Sequence, residues 1–157
     1  MTREEKFMNE AISLAERGME KGEGGPFGCV IVKEDKIIGR GNNKVLSTND
    51  PTAHAEIIAI REACKNLGSF QLEDCEVYTS CEPCPMCLGA IYWARPKVVY
   101  YANTRTDAAN IGFDDSMIYD EISTELEKRK IPVINICRQQ ANETFARWQQ
   151  KEDKKIY

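Results

Sequence analysis

Three features of the sequence predict an α/β domain with a mixed five-stranded sheet covered by helices on both faces. Amphipathic periodicity marks a helix at each end, short β-branched runs are bounded by glycine-rich and Asn/Asp-rich turns, and strand and helix patterns alternate from residue 75 onward. The 157 residues suit one domain, 1–157, and a chain of this length buries roughly 70% of its extended surface without needing disulfides.

The elements follow in order. Residues 3–18 carry Phe7, Ala11, Ile12, Leu14 and Ala15 at helical spacing, with Thr2 and Glu5 in a capping-box arrangement in front. GEGGPFG (22–28) reads as a flexible loop entering a hairpin made of CVIVK and KIIGRG. NNKVLSTNDP then leads to a helix that begins near Thr52, holds His54 in its first turn and stops at Gly68. CEVYTS (75–80) reads as a strand, 85–95 as a helix with Pro85 at its first position, and KVVYYA (97–102) as another strand. A helix over 116–129, a strand IPVINIC (131–137) and an amphipathic helix with Phe145 and Trp148 complete the pattern. Two βαβ-like crossovers are expected to supply the parallel strand pairs.

Composition excludes several classes. With 42% hydrophobic and 29% charged residues, the chain is neither disordered nor low-complexity. Its apolar runs fall far short of the ~20 residues that span a bilayer, so no membrane association is expected. The polar start, MTREEKFMNE, lacks the apolar stretch of a secretory signal, which implies a cytoplasmic protein. The net charge of −4 gives none of the cationic surface that nucleic acid requires, favouring a small-molecule partner. Cys29, Cys64, Cys75 and Cys137 lie in apolar patterns and read as core fillers.

The chemistry concentrates in two phrases. His54, the single histidine, stands two residues before Glu56, and Pro83-Cys84-Pro85-Met86-Cys87 follows downstream. With Pro85 at the first helical position, Cys84 becomes the N-cap and Cys87 falls in the first turn, so both sulfurs converge at the amino end of the helix. Backbone N–H groups and the helix dipole there favour thiolate, the metal-binding form. His54, Cys84 and Cys87 as ligands would leave the fourth tetrahedral position of one zinc per chain open, as catalysis requires. A closed site with Cys81 as fourth ligand is the alternative. It is disfavoured by the sharp fold-back it demands and by Glu56, a carboxylate placed to manage protons at an open position.

H-x-E with P-C-x-x-C is the signature of zinc-dependent nucleobase deaminases. Together with GGPFG, NDPTAHAE, TSCEPCPMCLGAIYWARPK and GFDDS, it makes the chain resemble the cytidine-deaminase superfamily, and within it the small bacterial guanine deaminases. The resemblance implies a cytidine-deaminase-like three-layer α/β/α sandwich and hydrolysis of guanine to xanthine and ammonia. Glu56 would act as base and then acid, with Asp115 meeting the guanine amine. Asn43 would hydrogen-bond the purine edge, Phe27 would stack on it, and Trp93 and Tyr157 would line and close the pocket. For Asn43 a plain turn, and for Phe27 and Trp93 plain burial, are competing readings. The resemblance also implies a homodimer, with the C-terminal tail contributed in cis or by a partner subunit.

Two other deaminase activities share these phrases. A guanosine deaminase would need room for ribose, and a tRNA adenosine deaminase would need a phosphate-binding surface that this acidic chain does not offer. A zinc-stabilised interaction module is the non-enzymatic reading.

Overall fold

The computed structural model describes residues 1–157, which form two compact units, Met1–Asp115 and Ser116–Tyr157. The first unit begins with α1 (Arg3–Glu20). Its capping box is in place: the Thr2 hydroxyl accepts from the Glu5 N–H at 3.1 Å, and the Thr2 N–H donates to the Glu5 carboxylate at 2.6 Å. Strands β1 (Gly28–Lys33) and β2 (Lys36–Asn42) form the expected hairpin. Glu34 and Asp35, both at positive φ, supply a two-residue turn whose twist suits paired strands. A short helix α2 (Val45–Thr48) precedes α3 (Ala55–Leu67), which ends on Gly68 at φ 63. Then come β3 (Glu76–Cys81), α4 (Pro85–Ala94), β4 (Val98–Asn103) and α5 (Arg105–Asn110).

The sheet has four strands in the order β2-β1-β3-β4. β1 is antiparallel to both neighbours, and β3 and β4 are parallel. Only the β3–α4–β4 crossover therefore produces a parallel hydrogen-bonded pair. The segment from β2 through α3 to β3 straddles β1, so the expectation of two such pairs is corrected to one.

Period-two alternation splits the core between the two faces of the sheet. Cys29 and Ile31 of β1 and Val77 of β3 pack with Ala55, Ala59 and Ala63 of α3 and with Ala94 of α4. Val30, Val32 and Tyr78 point the other way, against Ala11 of α1 and the partly buried Phe7, Met8 and Leu14. α3 lies directly on β2. A Cβ at Gly39 would collide with the Ala59 carbonyl, and one at Gly41 with the Ala55 carbonyl, so two glycines and three alanines form a seam without side-chain spacers.

The second unit holds α6 (Ser116–Ile122), a 3₁₀ turn over Leu126–Lys128 and α7 (Arg138–Gln150). The expected fifth strand at 131–137 is absent, as is the continuous helix to 129. A strand exists only where a neighbour completes its ladder, and this unit contains no strand to pair with. Ile131, Val133, Ile134 and Ile136 are accordingly exposed despite their β propensity. Cys137 is exposed at φ 54 as the N-cap of α7 and fills no core, unlike Cys29 and Cys75. No helix is long and apolar enough to cross a membrane.

Candidate metal centre and catalytic site

The site is built where the amino ends of α3 and α4 meet. His54 is the N-cap of α3, one position before the first turn expected for it, and Cys84 is the N-cap of α4 with Pro85 following. Both caps have extended backbone, which turns their side chains off the ends of their helices. His54 Nδ1 lies 3.5 Å from the Sγ of Cys84 and 3.5 Å from the Sγ of Cys87. A tetrahedral zinc with bonds near 2.0–2.1 Å to nitrogen and 2.3 Å to sulfur would set each N–S separation at ~3.6 Å. The nitrogen thus already stands at the separation from both sulfurs that such an ion requires, and all three donor atoms lie within 4.8 Å of one another. Cys81 lies outside the group: its Sγ is directed at the Thr104 carbonyl, 3.7 Å away. Three ligands converge, with no fourth sulfur.

The thiols titrate unequally. The neighbouring Cys87 thiol, helped by His54 and opposed by burial, brings Cys84 down to about 4, while the same contact holds Cys87 far above the ordinary thiol value. A divalent cation bound here would displace the protons that remain on the two sulfurs. Burial lifts Cys81 to about 11, as befits a thiol left out of the cluster.

Glu56 is 7% exposed, in the first turn of α3. Burial raises it above the usual carboxylate range, against hydrogen bonds that include one from Thr79, whose Oγ1 is 3.0 Å from Oε1. Thr79, itself 2% exposed, belongs to neither H-x-E nor P-C-x-x-C, and no motif marks it in the sequence. Its signal was strand alternation, which puts residues 77, 79 and 81 of β3 on the face that carries α3.

The remaining candidates divide. Asn43 is buried, its Oδ1 accepting from the Val45 N–H at 3.1 Å while its backbone N–H donates to the Phe27 carbonyl at 3.0 Å. It forms the turn, and it does so with a buried amide. Phe27 packs on the α3-face core and meets Phe113 edge to face, ring centres 5.0 Å apart. Phe113, the aromatic of GFDDS, stands two residues before Asp115, and nothing in its local sequence marks it as a partner of Phe27. Asp115 is half-buried and raised by burial and by the Cys84 charge, which places it within electrostatic reach of the sulfur cluster. Trp93 is 63% exposed, so burial within its helix does not account for it. Tyr157 belongs to the second unit and is exposed.

Comparison with known proteins bears on this geometry. The sequence profile of the cytidine and deoxycytidylate deaminase zinc-binding region matches residues 1–103. A guanine deaminase of Bacillus subtilis (strain 168) is 56% identical over 153 residues, 98% of each chain. An X-ray structure of guanine deaminase from Bacillus subtilis superposes with a TM-score of 0.95 over 98% of both chains, at 56% identity. A tRNA-specific adenosine deaminase of Aquifex aeolicus (strain VF5) is 48% identical, but over 99 residues, 62% of this chain and 65% of that one. A solved guanine deaminase from Nitrosomonas europaea shares 32% identity with a TM-score of 0.66, covering 69% of this chain and 63% of that one. Both the profile and the full-length similarity fall on residues that bring one nitrogen and two sulfurs to a common point, and the chain belongs to the cytidine and deoxycytidylate deaminase family.

Proposed function

We propose that this chain hydrolyses guanine to xanthine and ammonia with one zinc per chain. The observation that carries the reading is the extent of similarity. The Bacillus guanine deaminase aligns with 153 residues at 56% identity, the second unit included, whereas the tRNA-specific enzyme aligns with 99 residues. The net charge of −4 further disfavours a tRNA substrate.

The donor set of His54, Cys84 and Cys87 fits zinc, which when bound supplies Lewis acidity and makes hydroxide available from water near neutral pH. Glu56 takes a proton from the attacking water as the C2–O bond forms and gives it to the ring nitrogen, then carries the second proton, from the new C2 hydroxyl, to the departing amine as the C2–N bond breaks and ammonia leaves. Its burial fits the task, because a carboxyl with a raised pKa exchanges protons near neutrality more readily than an ordinary one. Asp115 receives the guanine amine. Asn43, fixed through Oδ1, presents its Nδ2 to an acceptor on the purine edge. Phe27, held by Phe113, stacks on the ring, and Trp93 and Tyr157 line and close the pocket. The chain forms a homodimer, its C-terminal segment acting in cis or across subunits. The exposed Ile131, Ile134, Ile136 and Phe145 support this, since apolar surface in that quantity marks an interface.

Ammonia release from a panel of guanine, guanosine, adenine and cytosine tests the reading: guanine should dominate, and turnover confined to guanosine overturns it. Deleting residues 153–157 probes the tail. Loss of Tyr157 should lower guanine turnover several-fold with zinc content intact, and should lower guanosine turnover less, because ribose would collide with a closed tail.

A further inference from the structure

We infer that Thr79 is a positioning residue for this reaction: its hydroxyl, set between the Glu56 carboxylate and the Cys81 carbonyl, donates to one oxygen of Glu56 and fixes it while the other oxygen moves protons. The inference rests on the deamination reading above and concerns a residue outside the metal ligands.

The geometry is specific. Thr79 Oγ1 lies 3.0 Å from Glu56 Oε1 and 3.1 Å from the Cys81 carbonyl oxygen. A hydroxyl has one proton to give and lone pairs to receive, so it donates to one of these acceptors at a time. With Glu56 ionised, the proton belongs on Oε1, since a hydrogen bond to a charged acceptor is the stronger one. A proton taken up during the reaction goes onto the other oxygen, Oε2, so the bond from Thr79 to Oε1 persists through the cycle.

Thr79 can do this because of where β3 puts it. The side chain is 2% exposed, so water does not substitute for the hydroxyl. Its partner across the antiparallel pair is Cys29, a fully buried thiol that burial, with the Glu56 charge adding to it, holds in the neutral form. The wall behind Glu56 is thus a neutral thiol and a neutral hydroxyl. Of the two, only the hydroxyl is a strong donor. Leaving a buried carboxylate without it would be costly, and would also free the side chain to rotate away from the reacting atoms. With Oε1 held by the strand, Oε2 is left to exchange the proton with water and substrate.

The test compares Thr79→Val and Thr79→Ala, which remove the hydroxyl with and without its volume, against Thr79→Ser, which keeps it. Purified zinc-loaded full-length chain is assayed for kcat and KM on guanine, zinc content and melting temperature. The expected result is a ~10- to 100-fold fall in kcat for Val and Ala, the worth of one hydrogen bond to a charged group. KM should stay within about threefold, zinc should remain near one per chain, and Ser should retain activity within about threefold. In a Glu56→Gln background, Thr79→Ala should cost less than about twofold, because a residue that acts through Glu56 has nothing left to position. Unchanged kcat in the Ala variant overturns the inference. So does a Ser variant as impaired as Ala, an equal loss in the Glu56→Gln background, or loss of zinc with the hydroxyl. A wild-type chain inert to guanine overturns the substrate reading instead, and the same ratios are then read on whichever base of the panel releases ammonia.

Discussion

Two carboxylates on opposite sides of the site strand, Glu56 and Glu76, are each 7% exposed and are shifted in opposite directions. Glu76 opens β3. Its Oε2 accepts from Arg3 at 2.8 Å and from the Tyr78 hydroxyl at 2.7 Å, and its Oε1 meets Lys97 at 3.0 Å. Burial pushes Glu76 up, but these hydrogen bonds and the Arg3 charge outweigh it and bring the acid to about 2. Glu56 sits beside the other end of the strand, where its side-chain donors are neutral, and burial prevails. Equal solvent exposure therefore says little about what an acid does; its depth and the charge and number of its donors decide whether it is locked ionised or left able to carry a proton.

The largest expected effect comes from removing the metal that gives Glu56 its task. Cys87→Ser should reduce bound zinc from about one per chain to a small fraction and abolish measurable guanine turnover, whereas Cys81→Ser should keep both. Metal analysis of the two variants side by side is the check, and equal zinc loss in both would restore the closed four-ligand site.

The acids themselves should then separate. Glu56→Gln is expected to slow deamination by a factor on the order of hundreds or more, the usual contribution of a placed proton carrier being about 10²–10⁴, with zinc near one per chain. Near-normal turnover would pass the proton work to another acid, most directly Asp115. Glu76→Gln should do the reverse, leaving turnover within about twofold while lowering stability by about 1–3 kcal/mol, since it strips the charge from a buried site with two cations. Urea titration measures that loss.

The smallest effect is in pH. Because Glu76 is depressed in the folded chain from an ordinary 4.5 to about 2, its contribution is fully present above about pH 4.5 and is lost as pH falls toward 2. Urea midpoints between pH 6 and pH 3 should fall less steeply in Glu76→Gln than in the parent. Parallel curves would show that the Arg3–Glu76–Lys97 cluster adds no net stability.

Much of this was legible in the sequence because it is local. Thr2 with Glu5, Gly68 as a stop, and Cys84-Pro85 as the start of a helix are decided by neighbours within four residues, and so was the convergence of the two sulfurs. What escaped depends on distant partners. The run IPVINIC has the composition of a strand and no strand beside it in its own unit. Thr79 meets Glu56 across 23 positions of sequence, and Phe113 meets Phe27 across 86. Trp93 carried a burial reading that only an observed surface could remove.

The seam between α3 and β2 has one further meaning. Gly39 and Gly41 let the helix rest closer to the strand than any side chain at those positions would allow, and the same helix carries His54 at its tip. Helix and strand thus form a mechanical stop that sets how far the imidazole projects toward two sulfurs carried by a different helix. A stop of this kind has no slack, so a single methyl added at Gly41, well away from any reacting atom, would be transmitted along a stiff rod as misalignment of the ligand triangle. The tolerance of the metal site is in that sense machined into a strand that never touches the metal.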